Sequence, residues 1–223
     1  MRDRDLQDRI GQPVAAGRHR EKGELKPGIG RIKADRMADS ANSLRHAMKK
    51  LAMSAPGTIA VIANHEGLDS PALLAAAAAD WSTAGARVVG LLARNTSPNE
   101  TCSAGSLQDI ASNGEYSIRL DTPPALTTCH LDVAGMERAC AGLLEQIPSA
   151  DVVVLSKFGK LEAMQRGLWA AFAAAVAAEK PLLTTVSQKH VAALKTFAPT
   201  AVWIDARLPA IEEWWRAVAP RHA

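Results

Sequence analysis

Lys157 and Lys160 bracket a Phe-Gly pair in Ser156-Lys157-Phe158-Gly159-Lys160, directly after the apolar run Val152-Val153-Val154-Leu155. An ammonium group is a compact point charge that can hold an anion or a carboxylate. Two on one short loop would give a phosphate or another oxyanion a positive seat. Glu162 follows in the first turn of a predicted helix, where a carboxylate suits the helix dipole. Lys157 and Glu162 are the candidates for catalysis. A second polar set, Asn64-His65-Glu66-Gly67-Leu68-Asp69-Ser70, follows the apolar run Ile59 to Ala63. His65, Glu66 and Asp69 can bind a cation or a polar substrate. Asp69 and Ser70 can equally cap a helix. The candidate ligand-binding set is therefore His65, Glu66, Gly67, Asp69 and Ser70 on one loop, with Ser156, Lys157, Gly159, Lys160 and Glu162 on the other.

Each candidate also has a plainer reading. Lys157 can supply charge to a ligand, or it can pair with Glu66 or Asp69 as an inert surface bridge contributing ~0–1 kcal/mol. Glu162 can be N-terminal charge placement, with Arg166 pairing to it one turn later. Trp169 and Phe172 read as core. Ser187, Gln188, Lys189 and His190 end the apolar run Leu182 to Val186 and form a further rim, where a lone histidine reads as surface.

These loops must be positioned by strands and helices. Ile59–Ala63, Val88–Ala93, Val152–Leu155, Leu182–Val186 and Val202–Ile204 are short, apolar and β-rich, as buried parallel strands are. Helices are predicted from Ser70, with Ser at the N-cap and Pro71 at the first position, to about Ala84. Others run from Asp132 to before Pro148, from about Leu161 to Ala178, and from Pro209 to Val218. Between Arg94 and Leu131, Asn113-Gly114 is a hairpin signal joining Leu107–Ile110 to Glu115–Leu120. The predicted class is α/β, a three-layer sandwich around a mostly parallel sheet with a β-hairpin inserted at its edge. In open sheets of this kind ligands collect outside the carboxyl ends of the strands. The Asn64–Ser70 and Ser156–Lys160 loops are both expected at that edge.

The stretch from Asp151 to His190 resembles the strand-loop-helix unit of small bacterial P-loop nucleoside triphosphatases. That unit has an apolar strand running into Asp-Glu-Ile-Gly and a Glu three residues beyond. Ser156 and Lys157 replace the two acids here, while Gly159 and Glu162 remain. It is more closely similar to the bacterial family called domain of unknown function 2478, with its Asn-Lys-Phe-Gly-Lys-x-Glu signature. The resemblance runs from about Gly57 to the C-terminus. It implies a nucleotide-hydrolase-like fold with an altered site, a strand order that makes the Asn64–Ser70 and Ser156–Lys160 loops neighbours with the anion between them, and an involvement with molybdate or its cofactor. The first loop departs from the hydrolase pattern, which needs a glycine-rich turn ending in Gly-Lys-Ser/Thr to cradle phosphates. It has one glycine, no lysine, and carboxylates at Glu66 and Asp69 that would repel a phosphate chain. Ordinary magnesium-dependent hydrolysis of ATP is not expected.

Charge is uneven along the chain. Residues 1–55 carry 13 Lys+Arg against 7 Asp+Glu, and the remainder 13 against 16, so the excess of positive charge belongs to the N-terminal segment. That segment reads as a basic extension, disordered or loosely helical between Ser40 and Met53, with Met53 a possible start; 56–223 reads as one domain. Nucleic acid is not the expected partner of the acidic folded part. Three cysteines do not make a disulfide scaffold. Cys102, Cys129 and His130 are weak metal candidates with poor zinc spacing, and Cys140 reads as core. No apolar run approaches the ~18 residues of a membrane span, so a cytoplasmic location is expected. The expected function is binding of a small anion, a nucleotide or an oxyanion such as molybdate, in an accessory or regulatory role in metal handling. The alternative is a phosphohydrolase with a rewired site. The cofactor and the oligomeric state are left unassigned.

Overall fold

The computed structural model describes residues 57–65, 67–94, 105–122 and 130–219. The expectations for residues 1–55, and for Glu66, Cys102 and Cys129, fall outside them. Strands are β1 (Ile59–Asn64), β2 (Val88–Arg94), β3 (Ser106–Asp109), β4 (Glu115–Ser117), β5 (Val152–Phe158), β6 (Leu182–Ser187) and β7 (Val202–Trp203). Helices are α1 (Ser70–Thr83), α2 (Val133–Gln146), α3 (Lys160–Ala163), α4 (Trp169–Ala177), α5 (Val191–Phe197) and α6 (Leu208–Val218). The strands form one seven-stranded sheet in the order β4-β3-β2-β5-β6-β1-β7. The five strands β2, β5, β6, β1 and β7 are parallel, while β3 and β4 add antiparallel at one edge.

Alternation along the strands builds a core on each face. On one face Val61, Val89, Leu91, Val153 and Leu155 meet Leu143 of α2, Phe172 of α4 and Phe197 of α5. On the other, Ala60, Ile62, Val152, Val154 and Leu183 meet Leu74 and Trp81 of α1 with Ile211 and Trp214 of α6. The result is the expected three-layer α/β sandwich. Small residues let the helices lie close: Ala77, Ala139, Ala171 and Ala175 are wholly buried.

The hairpin forms as expected, with Asn113 at a φ of 57° in the turn. Its second strand is shorter than the apolar alternation implied. Regular pairing stops at Ser117, and beyond it Arg119 meets Leu131 in an isolated bridge.

Three expectations are corrected. β1 and β5 are not neighbours, because β6 pairs with β1 on one side and β5 on the other. Strand order is decided by long-range pairing, which the local pattern does not encode. The helix expected over 161–178 is broken into α3 and α4, with Gln165 and Gly167 at φ of 58° and 64° between them. Finally, the N-cap of α1 is Asp69, whose Oδ1 accepts from the Ala72 N–H at 3.1 Å, and Ser70 is the buried first helical residue.

Candidate functional site

The loop after β1 is short and open. Leu68 N donates to His65 O at 3.3 Å, closing a turn in which Gly67 takes a φ of 81°. A side chain there would meet nothing within 4 Å, so the turn faces open space and the glycine serves its backbone angle. His65 and Asp69 are exposed. Asp69 spends one oxygen on the helix cap, in line with the plainer of its two readings.

The loop after β5 is built from the inside. Ser156 is buried at the strand end, and its Oγ accepts from the Ala93 N–H of β2. Its carbonyl accepts from Thr185 Oγ1 of β6 at 2.6 Å. Phe158 is buried in an aromatic cluster with Trp169, Phe172 and Phe197. Between these anchors the pairing register slips, a bulge between Leu155 and Phe158, and Lys157 is left exposed.

Glu162 holds the rest of this loop. It is only 3% exposed. Its Oε2 accepts from Gly159 N at 2.9 Å and its Oε1 from Leu168 N at 3.0 Å. One carboxylate thus ties the start of α3 to the start of α4 and stops the helix from running through. Gly167 is required here, since a Cβ on it would come within 2.9 Å of Glu162 Oε1 at a backbone angle that already disfavours side chains. Burial raises the Glu162 pKa above the usual carboxylate range, while backbone N–H groups, those of Leu168 and Gly159 first, and nearby Lys157 pull it back. The expected Arg166–Glu162 pair does not form. Glu162 points into the protein, and Arg166 reaches Glu137 of α2 at 2.8 Å on the surface.

Lys157 and Lys160 are both exposed, and among the described residues neither joins an ion pair. A bridge from Lys157 to Asp69 is absent. The structure therefore brings Ser156, Lys157, Gly159, Lys160 and Glu162 together in one rigid unit, but gives Glu162 an inward role. His65, Gly67, Asp69 and Ser70 stand two strands away, roughly 10 Å by inter-strand spacing.

The intervening strand end carries residues that the sequence reading put on a rim without assigning them a role. Ser187 is the register partner of Asn64. Its Oγ lies 2.8 Å from His190 Nδ1, across a single 3-10 turn formed by Gln188–His190. Among the described residues, Asn64 Oδ1 is buried and has no hydrogen-bond partner. The signal for this group was the shift from apolar to polar residues at both strand ends.

At the hairpin, His130 donates from Nδ1 to Leu120 O at 3.0 Å. Among the described residues no group of three or more His, Cys, Asp or Glu is placed to hold a metal ion. Cys140 lies in the core as expected, its thiol pushed up in pKa by burial. No described helix is long and apolar enough to cross a membrane.

Three likenesses to known proteins accompany this geometry. The chain is 33% identical over 171 residues to "Molybdenum import ATP-binding protein ModC 2" of Bradyrhizobium diazoefficiens, a match that takes in 74% of this chain. It spans only 19% of that relative's length. Among solved structures, the solution structure of a human cancer-related nucleoside triphosphatase aligns with a TM-score of 0.47 at 16% identity, over 66% of this chain and 87% of the other. The model of the family described as "Protein of unknown function (DUF2478)" matches residues 59–214, and the chain belongs to that family.

Proposed function

We propose that this protein binds a small anion at the carboxyl edge of β5, β6 and β1, in an accessory or regulatory role in metal handling. The observation that carries the reading is the pair of exposed lysines, Lys157 and Lys160, on a loop fixed from within by Glu162. A pre-organised loop spends less binding free energy on ordering itself. Ligands in open parallel sheets collect at this edge. The ligand classes that fit are a nucleotide phosphate and a free oxyanion such as molybdate, and the name of the molybdenum-import relative supports including the latter. The loop after β1 offers no lysine, so the anion is held mainly from the β5 side.

The test is thermal unfolding of the full chain with molybdate, tungstate, phosphate, ADP and ATP. A ligand of the native state raises the melting temperature by mass action. Lys157→Ala and Lys160→Ala should each weaken the effective anion about tenfold, the scale of one charge-assisted contact. If both variants keep full affinity, the lysines are rim charges. Robust ATP turnover lost on Lys157→Ala would favour the rewired hydrolase.

A further inference from the structure

We propose that Asn64, with Ser187 and His190 beside it, is the selective element of this site and favours an anion that carries its own proton. The favoured class is hydrogen phosphate and its analogue hydrogen arsenate. The inference rests on the anion reading above and narrows it.

Asn64 is the last residue of β1, and Ser187, its register partner, is the last of β6. Side-chain alternation puts both on the α1 side of the sheet, since Ile62 stands two residues before Asn64 and Leu183 four before Ser187 on that side. Both therefore lie at the ligand-collecting edge, between the two loops. Among the described residues Asn64 Oδ1 is buried without a donor, whereas buried polar atoms are nearly always satisfied. Ser187 Oγ, which lies 2.8 Å from His190 Nδ1, is not its partner.

A ligand that brings a donor would supply the missing partner. Lysines at the opposite rim attract the negative oxygens of any oxyanion. An amide oxygen repels a bare anionic oxygen and accepts from a P–OH group. At neutral pH phosphate and arsenate retain a proton, while sulfate, molybdate and tungstate have none. These ions share a tetrahedral shape, so a single hydrogen separates the two groups. A site built around a buried acceptor rejects the analogue that leaves it unpaired.

The experiment is calorimetric titration of the full chain at neutral pH with phosphate, arsenate, sulfate and molybdate. Phosphate and arsenate should bind at least about tenfold more tightly than the other two, the scale of one unpaired buried group. Asn64→Asp keeps an acceptor and should preserve the preference while lowering every affinity. Asn64→Leu should erase the preference, and Asn64→Ala serves if the leucine variant does not fold. Equal affinity for all four ions, or a preference that survives both apolar variants, would overturn the assignment. So would loss of the preference in Asn64→Asp, since the amide nitrogen would then be the contact. Anion binding that persists without selectivity removes this inference alone. Absence of binding by every anion, in the parent chain and in Lys157→Ala alike, removes the anion reading with it.

Discussion

The loop after β1 ends in an exposed helix cap, Asp69, while the loop after β5 is held through its middle by a buried carboxylate, Glu162. Asp69 accepts one backbone hydrogen bond at the start of α1, and the turn around Gly67 faces open space. Glu162 accepts two, from Gly159 and Leu168, under a roof of residues that includes Gly167. Both loops lie at the carboxyl edge of parallel strands. The difference teaches which of them can present a fixed charge. The β5 loop can aim Lys157 and Lys160 because its backbone is pinned beneath them. The β1 loop shows no such buried carboxylate among the described residues.

Removing the pin should break this contrast most strongly. Glu162→Ala leaves two backbone N–H groups without their acceptor, each worth ~1–3 kcal/mol, so a loss of about 3 kcal/mol is expected in urea unfolding. A variant within ~0.5 kcal/mol of the parent would mean the loop closes without the carboxylate. Gly167→Ala comes next, at about 2 kcal/mol, from an alanine forced to positive φ and against Glu162 Oε1. Asp69→Ala should cost about 1 kcal/mol, the usual worth of an N-cap, and should leave the β5 loop untouched. Arg166→Ala removes only the exposed Arg166–Glu137 pair and should change stability by less than ~0.5 kcal/mol.

Acidity sharpens the same comparison. The Glu162 pKa is raised in the folded state, so the native form holds this proton at pH values where the unfolded chain has released it. Stability from this group is therefore fully present below the ordinary carboxylate range and declines as pH rises through the raised value. Glu162→Gln should flatten that decline in a pH series of unfolding curves. An unchanged slope would show that the carboxylate titrates normally.

Much of the sheet was legible because its signals are local. Val152–Leu155 reads as a buried strand from its own side chains, and Asn113-Gly114 demands a turn whatever surrounds it. The lysine loop was legible for the same reason, since charged residues interrupt an apolar run. The break at Gln165–Gly167 was not, because it depends on Glu162 reaching the Leu168 N–H across six residues. Asp69 and Ser70 are both good caps, and only the fold decides between them. The position of β6 between β1 and β5 is a pairing choice made over long sequence distances. It left Asn64 and Ser187 unconnected until the strands were in register.

The ends of the sheet bear on how this protein behaves when crowded. A long bare strand at a sheet edge is a template on which another chain can stack and polymerise. Among the described residues the outermost strands are β4, three residues long, and β7, two residues long. Glu115 of β4 bonds inward to Ser106, and Trp203 of β7 lies beneath the Lys195 ammonium at 5.4 Å from its ring centre. Stubs this short, one carrying a carboxylate and the other shielded by a cation, offer a second copy little to extend. The fold should therefore stay dispersed at concentrations where a longer edge would seed fibres.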